Sequence, residues 1–302
     1  MDRLDTLNLF IRIVELGSFT RAAGELNLPR ATATQAIKIL EARLGARLLE
    51  RTTRQVKPTR DGQAYYERCK QILSELDDAE SSLSTLAGNP RGTLRLDLHG
   101  SHATRIILPN IQAFRERYPE IDLAISSGDR LVDLVREGID CVVRAGNPRD
   151  SSLVARRLAL MPEVICASPD YLARFGTPTH PSELSEHQVV GFFSSNHDIR
   201  YPLTLLVDDE PTEFEPQSWI TVNDAECYTT CALNGCGLIQ LPRFRVEPHL
   251  RSGELVEVLA DWPSPGLPVS VLYPYHRQRS HRVKVFVDWV VDLYAERFAD
   301  AS

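Results

Sequence analysis

Long apolar runs are missing from this chain of 302 residues. No stretch approaches the roughly eighteen consecutive apolar residues of a membrane-spanning helix, so the sequence predicts no transmembrane segment. The opening residues, MDRLDTLNLF, carry acidic side chains early, and no small-residue cleavage site follows them. We therefore expect no signal peptide and a protein that stays in the cytoplasm.

The common cysteine and catalytic motifs are also missing. The six cysteines form no C-x-x-C pair and no zinc pattern, and the eight histidines do not cluster with carboxylates. No P-loop, G-x-S-x-G or H-E-x-x-H motif is present. We expect no metal, no other cofactor and no enzyme activity. Buried apolar packing is the favoured interpretation for all six, which are Cys69, Cys141, Cys166, Cys227, Cys231 and Cys236, although a redox role stays open for the last three.

Charge is unevenly spread along the chain. Of the 34 Lys and Arg residues, eleven lie in residues 1–60 against six acids, a net of +5. Residues 61–302 hold twenty-three Lys and Arg residues against thirty-five acids, a net charge of −12. A basic head on an acidic body predicts that the head binds a polyanion and that the body does something else, although chance segregation would give the same pattern.

The basic head predicts three short helices. Residues 4–16 carry apolar side chains at helical spacing, and Gly17 ends this helix. Ser18 caps a second helix. Pro29 lies in the first turn of a third helix, which Gly45 ends. This is the helix-turn-helix arrangement, in which the second helix of the pair enters a DNA major groove.

The third helix has an apolar face and a polar face. Ala33, Ile37, Leu40 and Leu44 share the core side, and the opposite strip carries small or hydrogen-bonding groups and no bulky apolar side chain. The expected DNA-binding residues are Ser18, Thr20, Arg21, Arg30, Ala31, Thr34, Gln35, Lys38, Arg51 and Arg54. A solvated face on an ordinary helical domain is the alternative.

Different residues of this set suit different parts of DNA. Gln35 can pair with adenine through two hydrogen bonds, and the Ala31 methyl can meet a thymine methyl. Thr34 can contact a base edge or a phosphate. Four basic side chains would neutralise phosphates, which positions the protein without reading sequence: Arg30, Lys38, Arg51 and Arg54.

A short wing and a long helix complete the head. The segment RLLERTTRQVKPT suits two short strands, and Thr59 caps the helix that follows. Apolar side chains on that helix repeat as a and d positions at Tyr65, Cys69, Ile72, Leu76, Ala79, Leu83 and Leu86. Such a seam would pack against a second copy of the chain, or alternatively against the protein's own body.

The body alternates strands and helices. After the linker GNPRG come the strand TLRLDL, the helix RIILPNIQAFRERYP and the strand IDLAISSG. A second unit contains EVICASP, VVGFF, SWITVN and the helix AECYTTCALNG. The alternation predicts an α/β fold with parallel sheets.

Many ordered segments resemble the LysR-type transcriptional regulators, over nearly the full length. They are LNLFIRIVELGSFTRAAGELNL, ATQAIKILEARLGARLLERTTRQVKPTRDG, RGTLRLDL, LPNIQAFRERYPEIDL, GIDCVVRAG, ASPDYLARFGTP, NDAECYTTCALNGCGLIQLP and GELVEVLADW. The resemblance implies a sequence-specific transcriptional regulator that binds double-stranded DNA, responds to a small-molecule effector and forms homodimers or homotetramers. Contact with RNA polymerase is also implied, and no membrane partner is expected.

The resemblance further implies a domain order. A winged helix-turn-helix at 1–59 and a dimerising linker helix at 60–87 would precede an effector-binding domain at 88–302, similar to periplasmic binding proteins. Its first lobe would hold 88–161 and 268–302 and its second 162–267, with hinges near Met161–Glu163 and Gly266–Pro268. The chain departs from the family near the start of the third helix at Pro29, where Ser is usual, and also at Ala36, where Gln is frequent.

The effector is expected at the carboxyl ends of the strands, where open α/β sheets bind ligands. The expected effector-binding residues are Ser101, His102, Ser127, Arg144, Phe193 and Asn223. Ser101 and His102 stand at a helix N-terminus, which favours an anionic ligand. Local capping or packing is the alternative for each residue, and Arg144 could equally form an ion pair.

Two other functions would use the same two-lobed body. An enzyme could use the cleft, but no nucleophile motif supports that interpretation. A solute-binding transport protein could have the same lobes, but the basic head and the lack of an expected signal peptide oppose it.

Overall fold

The computed structural model describes residues 1–51, 56–84, 90–129, 132–148, 152–193 and 200–298. The chain divides into two compact units. The head unit contains Met1–Pro90, Asp133–Ile139 and Arg279–His281, and the effector unit contains Arg91–Val132, Asp140–Gln278 and Arg282–Ser302.

The head unit contains the expected helices and wing. Its elements are α1 (Arg3–Leu16), α2 (Phe19–Glu25), α3 (Arg30–Leu44), β1 (Leu49–Arg51), β2 (Val56–Pro58) and α4 (Arg60–Ser84). Gly17 and Gly45 end α1 and α3 with φ of 61° and 66°, a region that glycine enters without strain. We expected Pro29 in the first turn of α3. It is instead the residue just before the helix, which begins at Arg30.

Apolar side chains of α1, α3 and α4 form the core of the head. Leu9, Phe10, Ile13 and Ile37 are fully buried, and each such side chain stabilises the fold by about 1.5–3 kcal/mol. Leu44, which we expected on the core side, is 40% exposed, since it lies in the last turn of α3.

The apolar seam of α4 packs in part on the protein's own head. Cys69 is completely buried in the head core, and Tyr65 packs against the same cluster. This part of the seam therefore packs against the protein itself, which was the alternative interpretation, and it is not available to a second copy of the chain. Ile72 is 41% exposed and Leu76 is partly exposed. The side chains of Ala79, Leu83 and Leu86 lie outside the described residues.

Close backbone packing joins α4 to the wing. Thr59 caps α4, because its hydroxyl accepts a hydrogen bond from the Gly62 N–H at 2.9 Å. A Cβ atom at Gly62 would lie 1.8 Å from the backbone oxygen of Leu48. Only glycine therefore fits where the first turn of α4 crosses the chain before β1.

A five-stranded sheet with its helices forms what we call lobe 1 of the effector unit. The sheet is built from β3 (Gly92–Leu98), β4 (Ile121–Ser127), β5 (Cys141–Ala145), β6 (Leu153–Met161) and β15 (Leu267–Pro274), in the order β4-β3-β5-β15-β6. Strands β4, β3 and β5 are parallel, whereas β15 runs antiparallel to both β5 and β6. The sheet is thus mixed and not parallel as expected, and β6 was not predicted.

The helix after β3 changes its winding several times. It passes from α5 (Gly100–His102) through a π-helical segment (Ala103–Ile107) and a 3-10 turn (Leu108–Asn110) into α6 (Ile111–Arg117). It therefore begins before the segment that we expected to be helical. The last helix, α11 (His281–Arg297), contributes Phe286 and Tyr294 to the core of lobe 1. The short α7 (Leu134–Glu137) belongs to the head unit.

The remaining strands and helices form lobe 2. They are β7 (Glu163–Ala167), α8 (Pro169–Phe175), β8 (Gln188–Phe193), β9 (Arg200–Tyr201), β10 (Leu203–Val207), β11 (Glu210–Phe214), β12 (Gln217–Val222), α9 (Ala225–Leu233), β13 (Ile239–Pro242), α10 (Arg243–Ser252) and β14 (Val256–Val258). β8 and β12 are parallel, whereas β13 and β14 both pair antiparallel with β7. The hairpin of β10 and β11 and the helix α10 were not predicted.

The chain passes between the lobes twice. Lobe 2 begins when β7 follows β6 after Pro162, and it ends when β15 starts at Leu267. Met161 and Leu267 are paired across β6 and β15, so the two passages lie side by side. In the part of the chain that the structure describes, no helix has the length and apolar character needed to cross a bilayer.

Candidate functional site: the α3 surface and the cleft between the lobes

The helix pair α2 and α3 presents the expected polar strip. Ser18 caps α2 by accepting a hydrogen bond from the Arg21 N–H at 3.3 Å, so its hydroxyl has a structural role. Thr34 is partly exposed. Six further residues of the expected set are exposed: Thr20, Arg21, Arg30, Ala31, Gln35 and Lys38.

A groove runs along the exposed side of α3. It has a volume of about 570 Å³ and is lined by Ala31 and Gln35 together with residues of the N-terminal part of α1. Ile39 also lines it and is 58% exposed. The strip therefore does contain a bulky apolar side chain, contrary to our expectation. An amide beside small and apolar groups matches the edge of an A·T base pair, which offers hydrogen-bonding atoms and a methyl group.

Two expected phosphate contacts on the wing cannot be placed. Arg51 ends β1, but its side chain lies outside the described residues, as does all of Arg54. Their assignment stays a prediction from the sequence.

The ends of the parallel strands meet at one edge of lobe 1. Leu98 at the end of β3 is in register with Ser127 of β4 and with Val143 of β5. The segments that follow these strands are therefore neighbours. In lobe 2, Phe192 is in register with Val222, so Phe193 and Asn223 share an edge in the same way.

The carboxylate of Asp129 connects the two edges. Its Oδ1 accepts a hydrogen bond from the Gly100 N–H at 3.2 Å, and its Oδ2 accepts one from the Ala225 N–H at 3.1 Å. Gly100 opens α5 in lobe 1, and Ala225 opens α9 in lobe 2. We call Gly100, Asp129 and Ala225 the inter-lobe bridge. His99 lies beside it, with Nε2 at 3.5 Å from Asp129 Oδ1.

Burial keeps the histidines beside the bridge neutral. Burial lowers the pKa of His99 and outweighs the nearby Asp129 carboxylate, which raises it. The pKa of His102 is lowered well below its ordinary value, by burial and then by His99 and Arg245. These rings act as dipoles and not as charges at neutral pH.

His102 is a core residue and not the accessible ligand contact that we expected. It is 1% exposed, and its Nδ1 lies 2.7 Å from the hydroxyl of Tyr294 on α11. Its ring also packs against Phe244. The position of His102 near a helix N-terminus was misleading as evidence for a ligand contact, because the residue lies on the side of α5 that packs against α11. Ser101 is 4% exposed, with its hydroxyl 3.5 Å from Nδ1 of His99.

Arg144 forms the ion pair that was the alternative interpretation. It is 9% exposed, and its guanidinium bonds the buried carboxylate of Asp97. It also donates to the backbone oxygen of Val143 at 3.0 Å. Because a partner inside the fold already balances its charge, Arg144 does not need an effector anion.

The other expected effector contacts are more accessible. Ser127 and Asn223 are exposed at the strand ends, and Phe193 is half-buried at the end of β8. Asp224 caps α9 by accepting hydrogen bonds from the N–H groups of Glu226 and Cys227 at 3.0 and 2.9 Å. The first turn of α9 is thus held rigidly next to Asn223.

One functional candidate had no sequence signal. Arg245 on α10 is 3% exposed, and its terminal nitrogen lies 3.3 Å from Oε1 of Glu226. Its Nε is buried and has no hydrogen-bond partner among the described residues. Glu226 also lies 3.9 Å from Arg105 of lobe 1. Arg245 therefore belongs to the charged surroundings of the inter-lobe bridge, where burial lowers its pKa.

The cysteines are free thiols with different surroundings. Cys69, Cys141 and Cys166 are buried, which confirms the packing interpretation for them. Cys227 is exposed, so the packing interpretation is wrong there. Within the described ranges no group of three or more His, Cys, Asp or Glu residues could hold a metal ion.

Comparisons with known proteins agree with the two-part architecture. Residues 4–63 match the model "Bacterial regulatory helix-turn-helix protein, lysR family", and residues 87–295 match "LysR substrate binding domain". The chain is 39% identical over 298 residues to the HTH-type transcriptional regulator YhjC of Escherichia coli, which covers 98% of this chain and 99% of that protein.

Two further comparisons extend over the full length. The chain is 38% identical to an HTH-type transcriptional repressor of Pseudomonas aeruginosa, with 98% of this chain and 93% of that protein covered. The solved structure of CrgA, a LysR-type transcriptional regulator from Neisseria meningitidis, has a TM-score of 0.58 and 32% identity, covering 96% of this chain and 98% of that one.

Proposed function

The chain belongs to the LysR family of transcriptional regulators, and we propose that α3 of its head reads DNA bases while an anionic effector between the lobes switches it. As a member of this family, it is a DNA-binding regulator with an effector-binding domain. Its relatives are named as transcriptional regulators, and we propose that this chain likewise acts as a regulator and not as an enzyme. The proposed place of action is the cytoplasm, where the DNA target lies.

The exposed polar strip of α3 is the main observation that supports the proposed DNA binding. Gln35 lies exposed beside the small side chain of Ala31, so a base edge can approach both. We assign base contacts to Gln35, Ala31 and Thr34, and phosphate contacts to Arg30 and Lys38. The basic head supports this division, because the phosphate contacts supply affinity and the base contacts supply specificity.

The cleft between the lobes is the proposed effector site. Ser127, Phe193 and Asn223 are the retained accessible contacts, since they lie at the strand ends of the two lobes. Ser101 is only 4% exposed and is retained because it follows Gly100, whose N–H belongs to the inter-lobe bridge. An anionic effector suits the backbone N–H groups that meet there. The ligand has to touch both lobes, because only different contacts in two arrangements can shift their balance.

Self-association is part of the proposal. Proteins of this family oligomerise, and we propose a homodimer that uses the outer part of α4 around Ile72 and Leu76, with a dimer of dimers as the larger assembly. We also propose the domain arrangement that the sequence predicts. It has bounds at 1–59, 60–87 and 88–302, two lobes in the last domain, and hinges near Met161–Glu163 and Gly266–Pro268. Contact with RNA polymerase is proposed on the family relationship alone.

Mapping of bound DNA across the genome tests the DNA-binding function. We expect a small number of sites that share a two-fold symmetric sequence, since a dimer reads two half-sites about a helical turn or a multiple of it apart. Binding to such a site should exceed binding to a scrambled duplex by about 10³-fold or more at physiological salt. Equal binding to both duplexes would refute sequence-specific recognition.

The effector site is tested with Ser101→Ala once genes next to the bound sites suggest metabolites. This variant should bind the operator like wild type without effector, and its response to effector should weaken by about 1 kcal/mol or more. Ser185→Ala is the matched control, because Ser185 is an exposed serine of lobe 2 outside the strand ends. Identical dose-response curves for wild type and Ser101→Ala would place the pocket elsewhere.

A further inference from the structure

The inter-lobe bridge uses a side chain of the protein where an anionic ligand would be expected. Each carboxylate oxygen of Asp129 accepts one backbone hydrogen bond, from Gly100 of lobe 1 at 3.2 Å and from Ala225 of lobe 2 at 3.1 Å. The Asp129 side chain is only 7% exposed. One internal carboxylate therefore holds both lobes by their backbones.

The chain is shaped to let this carboxylate approach. A Cβ atom at Gly100 would lie 3.3 Å from Asp129 Oδ1, which is tighter than ordinary contact. Asp224 fixes the first turn of α9 from the other side and leaves the Ala225 N–H to Asp129. The two donors are thus held at a spacing that one carboxylate can span.

A second observation is a buried hydrogen-bond donor close to the bridge. The Nε of Arg245 is buried without a hydrogen-bond partner among the described residues. Its terminal nitrogen contacts Glu226, the residue after Ala225, so it lies beside the bridge. A buried guanidinium N–H without an acceptor is unfavourable, and a ligand oxygen would relieve this.

We propose that Asp129 is an internal substitute for the effector's carboxylate, and that an anionic effector acts by displacing it from Gly100 and Ala225 while also accepting from Arg245. This inference rests on the proposed effector site. Two carboxylates cannot share the same two N–H donors, so effector binding and the Asp129 bridge exclude each other. The effector would then hold the lobes through its own contacts, and Asp129 would be released.

Asp129→Ala tests the exchange without knowledge of the natural effector. The variant removes the carboxylate and leaves a space that acetate can fill. In the full-length variant, acetate about tenfold above its Kd should raise the Tm by about 3–6 °C, as expected for a ligand that binds only the folded state. Acetate should not raise the Tm of wild type, in which Asp129 already occupies the place.

Three controls make the result specific. Acetamide has the shape of acetate without its charge, and sodium chloride matches the ionic strength, so neither should stabilise Asp129→Ala. Asp122→Ala removes a carboxylate from β4 whose side chain is 78% exposed, and this variant should not respond to acetate. In Asp129→Ala, the additional change Arg245→Lys should weaken acetate binding by about tenfold, because an ammonium lacks the planar set of donors.

Asp129→Asn is the second variant if Asp129→Ala does not fold. Its amide keeps one acceptor oxygen and turns an N–H group toward the other donor, so a smaller but specific acetate response is expected. An equal response of wild type, Asp122→Ala and the Asp129 variant would overturn the proposal, as would no response in either Asp129 variant. Operator binding by wild type is measured on the same preparations, so that failure of the proposed function is seen separately.

Discussion

Glu163 is a largely buried acid whose replacement should stabilise the effector unit at high pH. It opens β7 just after the chain enters lobe 2, and Oε2 accepts a hydrogen bond from the Ser264 hydroxyl at 3.2 Å. Burial raises its pKa from 4.5 to about 7, against the smaller opposite effect of the Ser264 bond. The folded state therefore prefers the neutral carboxyl group.

The size and the sign of the effect follow from this pKa. Because the pKa is raised on folding, the group's stabilising effect is complete below about pH 4.5 and is lost as the pH rises through about 7. At about 1.4 kcal/mol per pKa unit, the shift corresponds to about 3 kcal/mol at most. Because Glu163 keeps some exposure, we expect less than this maximum: Glu163→Gln should raise the free energy of unfolding by about 2 kcal/mol at pH 8 and by only about 0.5 kcal/mol at pH 5.

Urea unfolding followed by tryptophan fluorescence measures this difference. The three tryptophans, Trp219, Trp262 and Trp289, all belong to the effector unit, so the signal reports that unit. Glu210→Gln is the control, because Glu210 is exposed and its replacement should change stability by less than about 0.5 kcal/mol at either pH. A gain for Glu163→Gln that is the same at pH 5 and pH 8 would refute the ionisation argument.

Three further predictions concern the head. Gln35→Ala should weaken binding to the cognate site by about 1–3 kcal/mol and leave binding to random DNA unchanged, whereas Arg30→Ala should weaken both and flatten the salt dependence. Competition assays at two salt concentrations decide this, and an equal loss on both DNAs for Gln35→Ala would show that the wrong face was chosen. Leu76→Asp should dissociate the oligomer, since it places like charges in an apolar contact, and an unchanged assembly in analytical ultracentrifugation would contradict the α4 interface. Gly62→Ala should destabilise the head by about 2 kcal/mol or more in thermal unfolding, because its Cβ would lie 1.8 Å from a backbone oxygen, whereas Gly24→Ala meets nothing within 4 Å and should be neutral or stabilising.

The head could be predicted in detail because its signals are local. Ser18, Gly17 and Gly45 mark the helix ends through their own conformations and hydrogen bonds, which do not depend on distant parts of the chain. The partial burial of the α4 seam was harder to predict. A heptad pattern records which side of a helix is apolar and does not record what covers that side.

Elements that depend on distant partners were missed in the body. Strand β6 carries Arg156 and Arg157 in an otherwise apolar segment, and it is a strand because it pairs with β15, which is far away in sequence. The hairpin of β10 and β11 did have a local signal, since Asp208 and Asp209 adopt φ of 53° and 65° at its turn. Acidic pairs of this kind are compatible with the left-handed conformation, and we did not use that signal.

The strand ends that face the cleft could be predicted from the sequence, whereas the side-chain contacts around them could not. The segments around Ser127 and Asn223 were expected at the edge, because parallel strands carry their following residues there. Asp129 lay in one of these segments, but its bridge to Ala225 depends on the packing of the two lobes. Arg245 gave no signal, because Pro248 interrupts the helical pattern of α10.

The position of β15 determines the order in which the effector unit can be completed during synthesis. This strand lies between β5 and β6 in the sheet of lobe 1, yet the ribosome makes it only after all of lobe 2. Domains generally fold as units while the chain emerges, so α1 to α4 can fold early, whereas the lobe 1 sheet stays open until β15 and α11 arrive. A chain that stops within lobe 2 would keep α1 to α4 of the head but would lack β15, and it would therefore have no closed lobe 1 sheet with which to respond to an effector. We expect such fragments to keep the exposed surface of α3 and to lose the response to an effector.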